Sequence, residues 1–187
     1  MIRSTFVVSV ALAASALVAF LPVFAQAGSP VFTAFASVCG QPAADFPAVR
    51  AAADGHGWGA TDVTADANMP GVTIADKMTR AFTADKTGLV LSAWRGTKGD
   101  VKISDCTVHV AKADFDSLKG EASAWLAFPA QDSTPKHATF RFTDAGGGHK
   151  ALTSADFDAA AGGAGLEILT VSGDQNGTVL DLMMIKK

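Results

Sequence analysis

The sequence predicts an α+β domain, in which an antiparallel sheet of about five strands packs against two or three helices and one disulfide links two parts of the chain. Three observations lead to this prediction. Asp-Phe pairs recur where helical patterns begin, runs rich in valine, isoleucine and phenylalanine end at glycine-containing turns, and the chain has two cysteines. Hairpin strands with separately grouped helices are typical of this class.

The first predicted helix covers residues 45–54. Asp45 can accept hydrogen bonds from the free N–H groups of the first turn, and Gly55 ends the pattern. Three apolar side chains fall on one face of this helix: Phe46, Val49 and Ala53. Glycines recur through residues 55–71, which therefore predict an irregular excursion.

Two strands are predicted next, at residues 89–94 and 101–110, with RGTKGD as the turn between them. The second strand carries apolar residues on both faces. Val101 and Ile103 fall on one face, and the other face holds Cys106, Val108 and Val110. We therefore predict a β-bulge near Ser104–Asp105, because one extra residue would bring the two sets onto the same face.

A second helix is predicted over residues 114–127, with four apolar side chains at helical spacing: Phe115, Leu118, Ala122 and Trp125. Residues 138–143 alternate apolar and polar side chains, as in a half-buried strand. The segment DAGGGHK, residues 144–150, predicts a mobile connection. A short helix over 156–161, stopped by Gly162-Gly163, precedes a final hairpin of 166–171 and 178–185 around Asn176-Gly177.

The tetrapeptide ADFD occurs at residues 113–116 and again at 155–158. A repeated pair of carboxylates indicates either a metal or acid/base site or a repeated way to begin a helix. A calcium loop needs six or more closely spaced oxygen ligands, and neither copy has further acids in that rhythm. The helix interpretation is favoured, with Asp45, Asp114 and Asp156 as caps. The sequence therefore predicts no metal site and no cofactor.

The first 27 residues have the pattern of a signal peptide. Arg3 is followed by an uncharged apolar run and then by Ala25-Gln26-Ala27, a small-x-small cleavage site. We predict cleavage after Ala27, a single globular domain over residues 28–187, and a periplasmic or secreted location. A transmembrane anchor is the alternative. With the leader removed we expect no stable membrane insertion.

The charge of the chain excludes one class of partner. The leader holds one of the 15 basic residues and none of the 18 acidic ones, so the mature chain carries 14 basic and 18 acidic residues, a net charge of −4. A mildly acidic chain without a basic stripe is a poor ligand for phosphate backbones. We therefore predict no nucleic-acid partner.

The two cysteines, Cys39 and Cys106, allow one intramolecular disulfide. An exported chain meets an oxidising compartment, and neither a C-x-x-C motif nor a second metal-spaced cluster supports a redox or zinc site. We predict a structural disulfide between them.

Cys39, an alanine-rich helix ending in Gly57-Trp58, and a second cysteine, Cys106, in a strand together resemble a loose group of small exported proteobacterial proteins of unknown function. The resemblance covers mainly residues 35–58 and Cys106. It implies an extracytoplasmic domain with one disulfide, and it carries over no functional residues.

No catalytic motif is complete. Ser133-Thr134-Pro135-Lys136 matches S-x-x-K, but Pro135 disrupts the helical spacing that brings the serine to the lysine. GGGHK lacks the glycine and the serine or threonine of a phosphate-binding loop. The four histidines are not spaced as a pair on any one helix, so a joint site would have to be assembled by the fold.

Four residues are the candidates for binding. Trp58, Trp94 and Arg95 can supply stacking and a charged donor, and His109 lies on the predicted strand face opposite the core. The alternatives are core aromatics, a hairpin-end arginine and a solvent-facing histidine.

The leading hypothesis is a non-enzymatic periplasmic domain that binds a small molecule, peptide or envelope protein. The alternative is a small hydrolase with a fold-assembled His-Asp-Ser site that uses His109. A cluster of His109 with an aspartate and a serine would favour the hydrolase, and an exposed Trp-Arg patch would favour binding. The sequence leaves open whether the chain is an enzyme.

Overall fold

The computed structural model of the chain describes residues 28–61, 69–84, 86–145, 147–160 and 165–187. The predicted leader and the Gly162-Gly163 stop lie outside these ranges. The described strands form one antiparallel sheet in the order β1-β2-β3-β4-β9-β8-β6-β5, with β7 also paired to β6. The strands are β1 (Gly59–Ala60), β2 (Thr73–Ala84), β3 (Thr87–Lys98), β4 (Val101–Ala111), β5 (Asp132–Thr134), β6 (His137–Ala145), β7 (Gly148–Ala151), β8 (Leu166–Asp174) and β9 (Gly177–Lys186).

Four short α-helices accompany the sheet in the described part of the chain. They are α1 (Pro30–Phe35), α2 (Phe46–Gly55), α3 (Phe115–Leu126) and α4 (Ser154–Ala160), and a π-helical turn, Ala36–Gly40, follows α1. The prediction of a five-stranded α+β domain was therefore wrong: the described residues form mostly a nine-stranded antiparallel sheet.

The long strand β2 was missed because charged residues occupy its core-facing positions. Asp76 and Arg80 share a face with buried Met78, so the expected alternation of apolar and polar residues is broken. Both charges are paired on that face, Asp76 with Arg95 at 2.6 Å and Arg80 with Asp54 at 3.2 Å. Because both charges are paired, these side chains can lie at the edge of the apolar core.

The strands β5 and β7 were missed because they are short. β5 pairs with residues 137–139 of β6, and β7 pairs with residues 142–145. Most of residues 144–150, which were predicted to be a mobile connection, therefore belong to the β6–β7 hairpin. A backbone hydrogen bond from Leu152 to Arg141, 2.9 Å long, continues this contact beyond β7.

Both predicted hairpins are present, but the first turn is shorter than predicted. Residues 95–98 belong to β3, so Gly99, with a φ of 62°, and Asp100 alone form the turn to β4. Residues 175–176 form the turn between β8 and β9. The predicted bulge at Ser104–Asp105 was wrong, because β4 pairs in unbroken register with both β3 and β9. The register shift is instead in β2, between Ile74 and Asp76.

The two faces of the sheet carry different kinds of side chain. The core face carries Leu91, Val108 and Leu180, which are fully buried in one cluster with residues of α1, α2 and α3. The other face, called here the second face, carries Trp94, Asp105, Thr107 and Asp181. Ile103, 6 % exposed, also lies on the second face, so apolar residues on both sides of β4 need no bulge.

The first two predicted caps are confirmed and the third was wrong. Asp45 Oδ1 accepts a hydrogen bond from Ala48 N at 3.3 Å, and Asp114 Oδ1 accepts one from Ser117 N at 2.8 Å. Such caps contribute about 1 kcal/mol each. Asp156 lies inside the first turn of α4 and exchanges hydrogen bonds with Thr153, the residue that precedes the helix.

The predicted disulfide between Cys39 and Cys106 is present. Both residues are fully buried, and their Cα atoms are 5.6 Å apart. Cys39 lies in the π-helical turn and Cys106 on the core face of β4. The bond therefore fastens the N-terminal helical segment to the middle of the sheet.

None of the helices in the described ranges is both long enough and apolar enough to cross a membrane.

Candidate functional site

The four residues singled out for binding do not come together. Trp58 is half-buried and stacks on Phe82, with ring centroids 3.5 Å apart and an angle of 3° between the planes. Trp94 and Arg95 are consecutive in β3 and therefore point to opposite faces of the sheet. Trp94 is 6 % exposed on the second face, whereas Arg95 pairs with Asp76 beside the core face. A joint Trp-Arg patch is not formed by these two side chains.

His109 lies half-buried on the second face of β4, between Val90 and Val179 in register. Ser92 and Asp181 are on the same face, each diagonally across from His109. These three residues are all described, and no hydrogen bond links His109 to either of the other two. The arrangement thus lacks the bonded chain of nucleophile, base and acid on which Ser-His-Asp catalysis depends.

A pair of carboxyl groups occupies the centre of the second face. Asp105 on β4 and Asp181 on β9 are diagonal neighbours across the β4–β9 pairing and lie within hydrogen-bonding reach of each other. The Thr107 hydroxyl lies between them, donating to Asp105 Oδ1 at 2.9 Å and approaching Asp181 Oδ1 at 3.4 Å. Trp94 lies directly opposite Asp105 in the β3–β4 pairing, on the same face.

Burial, followed by the negative charge of Asp181, raises the pKa of Asp105 to about 9, although the hydrogen bond from Thr107 and the neighbouring Trp94 act in the opposite direction. Burial also raises the pKa of Asp181. Asp105 is therefore protonated at neutral pH and can donate a hydrogen bond to Asp181. Two neighbouring negative charges in a buried site are disfavoured without a compensating cation.

Hydroxyl groups extend from this pair across the sheet. Thr170 lies opposite Asp181, and Thr139 lies opposite Thr170. On the other side, Ser92 lies opposite Thr107. At the far end, His137 bonds through its two ring nitrogens to Ser172 Oγ and to Thr139 Oγ1, each at 3.0 Å. The second face therefore presents a continuous row of small hydrogen-bonding groups.

A groove of about 740 Å³ lies elsewhere, between α1 and α3. Phe32, Ala36 and Trp125 supply its apolar lining. Of the described residues that line it, Glu121 alone carries a charge. The Glu121 carboxylate accepts hydrogen bonds from Ser29 N at 2.8 Å and from Ser29 Oγ at 2.9 Å.

A third group of titratable side chains lies at one end of the core face. Glu167 is 4 % exposed, and burial, followed by the negative charge of Asp144, raises its pKa to about 7 against the opposing effect of Lys186. His149 Nδ1 lies 2.8 Å from Asp144 Oδ1, and its ring packs on Trp125. Among the residues described, no three His, Cys, Asp or Glu side chains converge so as to hold a metal ion.

Comparisons with protein families, with curated proteins and with solved structures found no match to this chain. The resemblance drawn from the cysteines and Gly57-Trp58 therefore stays a prediction.

Sequence reasoning missed the Asp105–Asp181 pair. A usable signal was present, because aspartate is depleted in strands and each of these two residues interrupts an apolar strand. The sequence does not show that β4 pairs with β9, and it is this pairing that brings Asp105 and Asp181 together.

Proposed function

We propose that this chain is an exported, non-enzymatic binding domain, and that the Asp105–Asp181 pair anchors a small amine on the second face of the sheet. The observation that carries the proposal is the placing of two aspartates side by side in a row of hydroxyls, with the Thr107 hydroxyl 2.9 Å from Asp105 Oδ1 and 3.4 Å from Asp181 Oδ1. A strongly perturbed carboxyl with a specific charged neighbour is a recognised sign of a functional site.

Export is supported by two independent features. The first 27 residues carry the charge, apolar run and cleavage pattern of a signal peptide. The disulfide joins residues 67 positions apart in the sequence, and such bonds persist in oxidising compartments. Together they favour a periplasmic or secreted protein.

The exported protein should begin at Gly28, and intact-mass measurement of protein recovered from the periplasm or medium checks this. As a matched control, Ala27→Leu places a bulky residue at the cleavage site and should leave the leader attached. Exported wild-type protein that keeps residues 1–27, or starts at another residue, would contradict the expectation.

Binding is favoured over catalysis because the polar groups are bonded to one another rather than to a nucleophile. Asp181 bonds to Asp105 and Thr107, and His109 has no hydrogen bond to Asp181 or to Ser92. The hydrolase alternative needs that histidine to be held by an acid. The carboxyl pair instead offers a place where a cation can replace a proton.

An amine fits this place by charge and by hydrogen-bonding capacity. Asp105 is neutral at neutral pH and gains a negative charge when its proton leaves, so a bound ammonium group offsets the charge that burial penalises. Its three N–H donors match the oxygens of Asp105, Asp181 and Thr107. Asp181 is half-buried, which leaves the pair open to solvent on that side.

Ethanolamine is a suitable probe, followed through the indole N–H resonance of Trp94, because Trp94 lies directly opposite Asp105 on the same face of the sheet. We expect a saturable shift whose apparent affinity rises by up to about tenfold per pH unit between pH 6 and 8, since the pair releases a proton when the amine binds. Asp181→Asn should weaken binding by about 10- to 100-fold, the cost of a hydrogen bond to a charged group.

Ethylene glycol, which has similar size but no charge, is the matched control and should leave the Trp94 resonance unmoved. A Trp94 shift of equal size with both compounds, or an apparent affinity for ethanolamine that Asp181→Asn leaves unchanged, would show that the carboxyl pair does not recognise an amine.

A further inference from the structure

The start of the described chain lies against a carboxylate. Gly28 lines the groove between α1 and α3, and a Cβ atom placed on it would lie 3.2 Å from Glu121 Oε2. The next residue already uses the same oxygen, since Ser29 N and Ser29 Oγ both donate to Oε2. Glu121 thus holds the chain at the point where α1 begins.

The backbone nitrogen of Gly28 must therefore be close to this carboxylate. The nitrogen and a Cβ on the same α-carbon are about 2.5 Å apart, which follows from standard bond lengths and a tetrahedral angle. The nitrogen consequently lies within about 6 Å of Glu121 Oε2. Opposite charges at that separation shift each other's ionisation measurably.

The predicted cleavage after Ala27 would place a charge at this nitrogen. In the uncleaved chain it belongs to a neutral peptide group, whereas in a chain that begins at Gly28 it is an α-ammonium group. We propose that removal of the leader creates an ion pair between the α-ammonium of Gly28 and Glu121, which fastens α1 onto α3. This inference rests on the export part of the proposed function and is independent of any ligand on the second face.

The surroundings favour such a pair. Glu121 is the one charged side chain among the described residues that line the groove. The facing positions carry Phe32 and Thr33 of α1 and Ala36 of the π-helical turn. On its own helix, the nearby Lys119 is paired with Asp116 at 2.7 Å. The Glu121 carboxylate thus has hydroxyl and amide donors around it, and the α-ammonium would supply its cation.

The ion pair would add an electrostatic attachment to a segment that is otherwise held by apolar contacts and neutral donors. α1 has six residues, of which Phe32 and Phe35 are buried against Trp125 on α3. Chain ends fray unless they are tied down. Cleavage would therefore strengthen the N-terminal end of the fold, and the processed protein would differ from its precursor in more than length.

The test compares chains whose first residue is set by protease removal of a fusion partner. One chain starts at Gly28 and the other at Ala27, which moves the amino group one residue away. The pKa of each α-amino group is measured by NMR from its terminal α-carbon. We expect the pKa of the Gly28 amino group to lie about 0.5 or more above the ordinary 7.7–8.0, and that of the Ala27 amino group to be ordinary.

Glu121→Gln in the chain that starts at Gly28 should return the pKa to its ordinary range, and 1 M salt should reduce the shift in the unsubstituted chain. The chain starting at Gly28 should also melt at a higher temperature than the chain starting at Ala27, and this difference should vanish in Glu121→Gln and above about pH 9, where a raised amino pKa is passed. Equal, ordinary pKa values in all three chains would overturn the proposal. Because these termini are made in vitro, a failure of export would leave this result unaffected, and the reverse also holds.

Discussion

Loss of the Cys39–Cys106 disulfide should lower the free energy of unfolding by about 4 kcal/mol, because the bond closes a long loop in the unfolded chain. For a protein of this size that corresponds to a fall in melting temperature of roughly 10 °C. The π-helical turn that carries Cys39 packs on β4 through this bond, so we expect the N-terminal segment to loosen first. Thermal and urea unfolding of the protein, oxidised and reduced, measure the change.

The double variant Cys39→Ala, Cys106→Ala separates the cross-link from the sulfur atoms. Its stability should match that of the reduced wild-type protein to within the cost of two small cavities, and reductant should leave it unchanged. Reduced wild-type protein that melts at the same temperature as the oxidised form would show that the bond has no structural role.

Asp105→Asn should make the protein more stable at alkaline pH and little different near pH 4. A carboxyl whose pKa is raised by folding binds its proton more tightly in the native state, so its contribution to stability is lost as pH rises from the unfolded value near 4 towards about 9. Asparagine keeps a donor towards Asp181 without this titration. Since a tenfold difference in proton affinity between the folded and unfolded states corresponds to about 1.4 kcal/mol, we expect the difference from wild type to reach several kcal/mol by pH 9.

Glu167→Gln is the matched control, because the pKa of Glu167 is raised to about 7 for a related reason. Its stability difference from wild type should level off near pH 8, whereas that of Asp105→Asn should still grow. Urea unfolding at pH 4, 6, 8 and 9 measures both differences. Curves for Asp105→Asn and wild type that run parallel across this range would mean that folding does not raise the pKa of Asp105.

The parts of the fold that sequence reasoning found are those specified by nearby residues. Gly99 and Asn176-Gly177 specify their turns locally, and Asp45 and Asp114 cap helices that begin at the next residue. Such signals need no knowledge of the tertiary structure.

The parts that were missed depend on distant partners. β2 shows no clear alternation of apolar and polar residues, because Asp76 and Arg80 occupy its core face. Their charges are paired with Arg95 and Asp54. The carboxyl pair forms only because β4 and β9 are neighbours in the sheet, and no local sequence pattern predicts that pairing. The binding residues chosen from the sequence, Trp58, Trp94, Arg95 and His109, were selected by type, and type alone does not say which face of a sheet a side chain occupies.

The adjacency of β4 and β9 also decides when the sheet can be completed. β1 to β4 form a consecutive meander, and the remaining strands join it only where β9 meets β4. A ribosome adding about 5–20 residues per second takes roughly 4–15 s to travel from Ala111 to Lys186. Through that interval the β4 edge, with Val108 and Val110, has no neighbour to pair with, and open edges invite association with other chains. If a chaperone keeps the nascent chain unfolded until synthesis ends, β1 to β4 cannot form a sheet with an unpaired β4 edge. Folding after synthesis therefore avoids association with other chains through that edge.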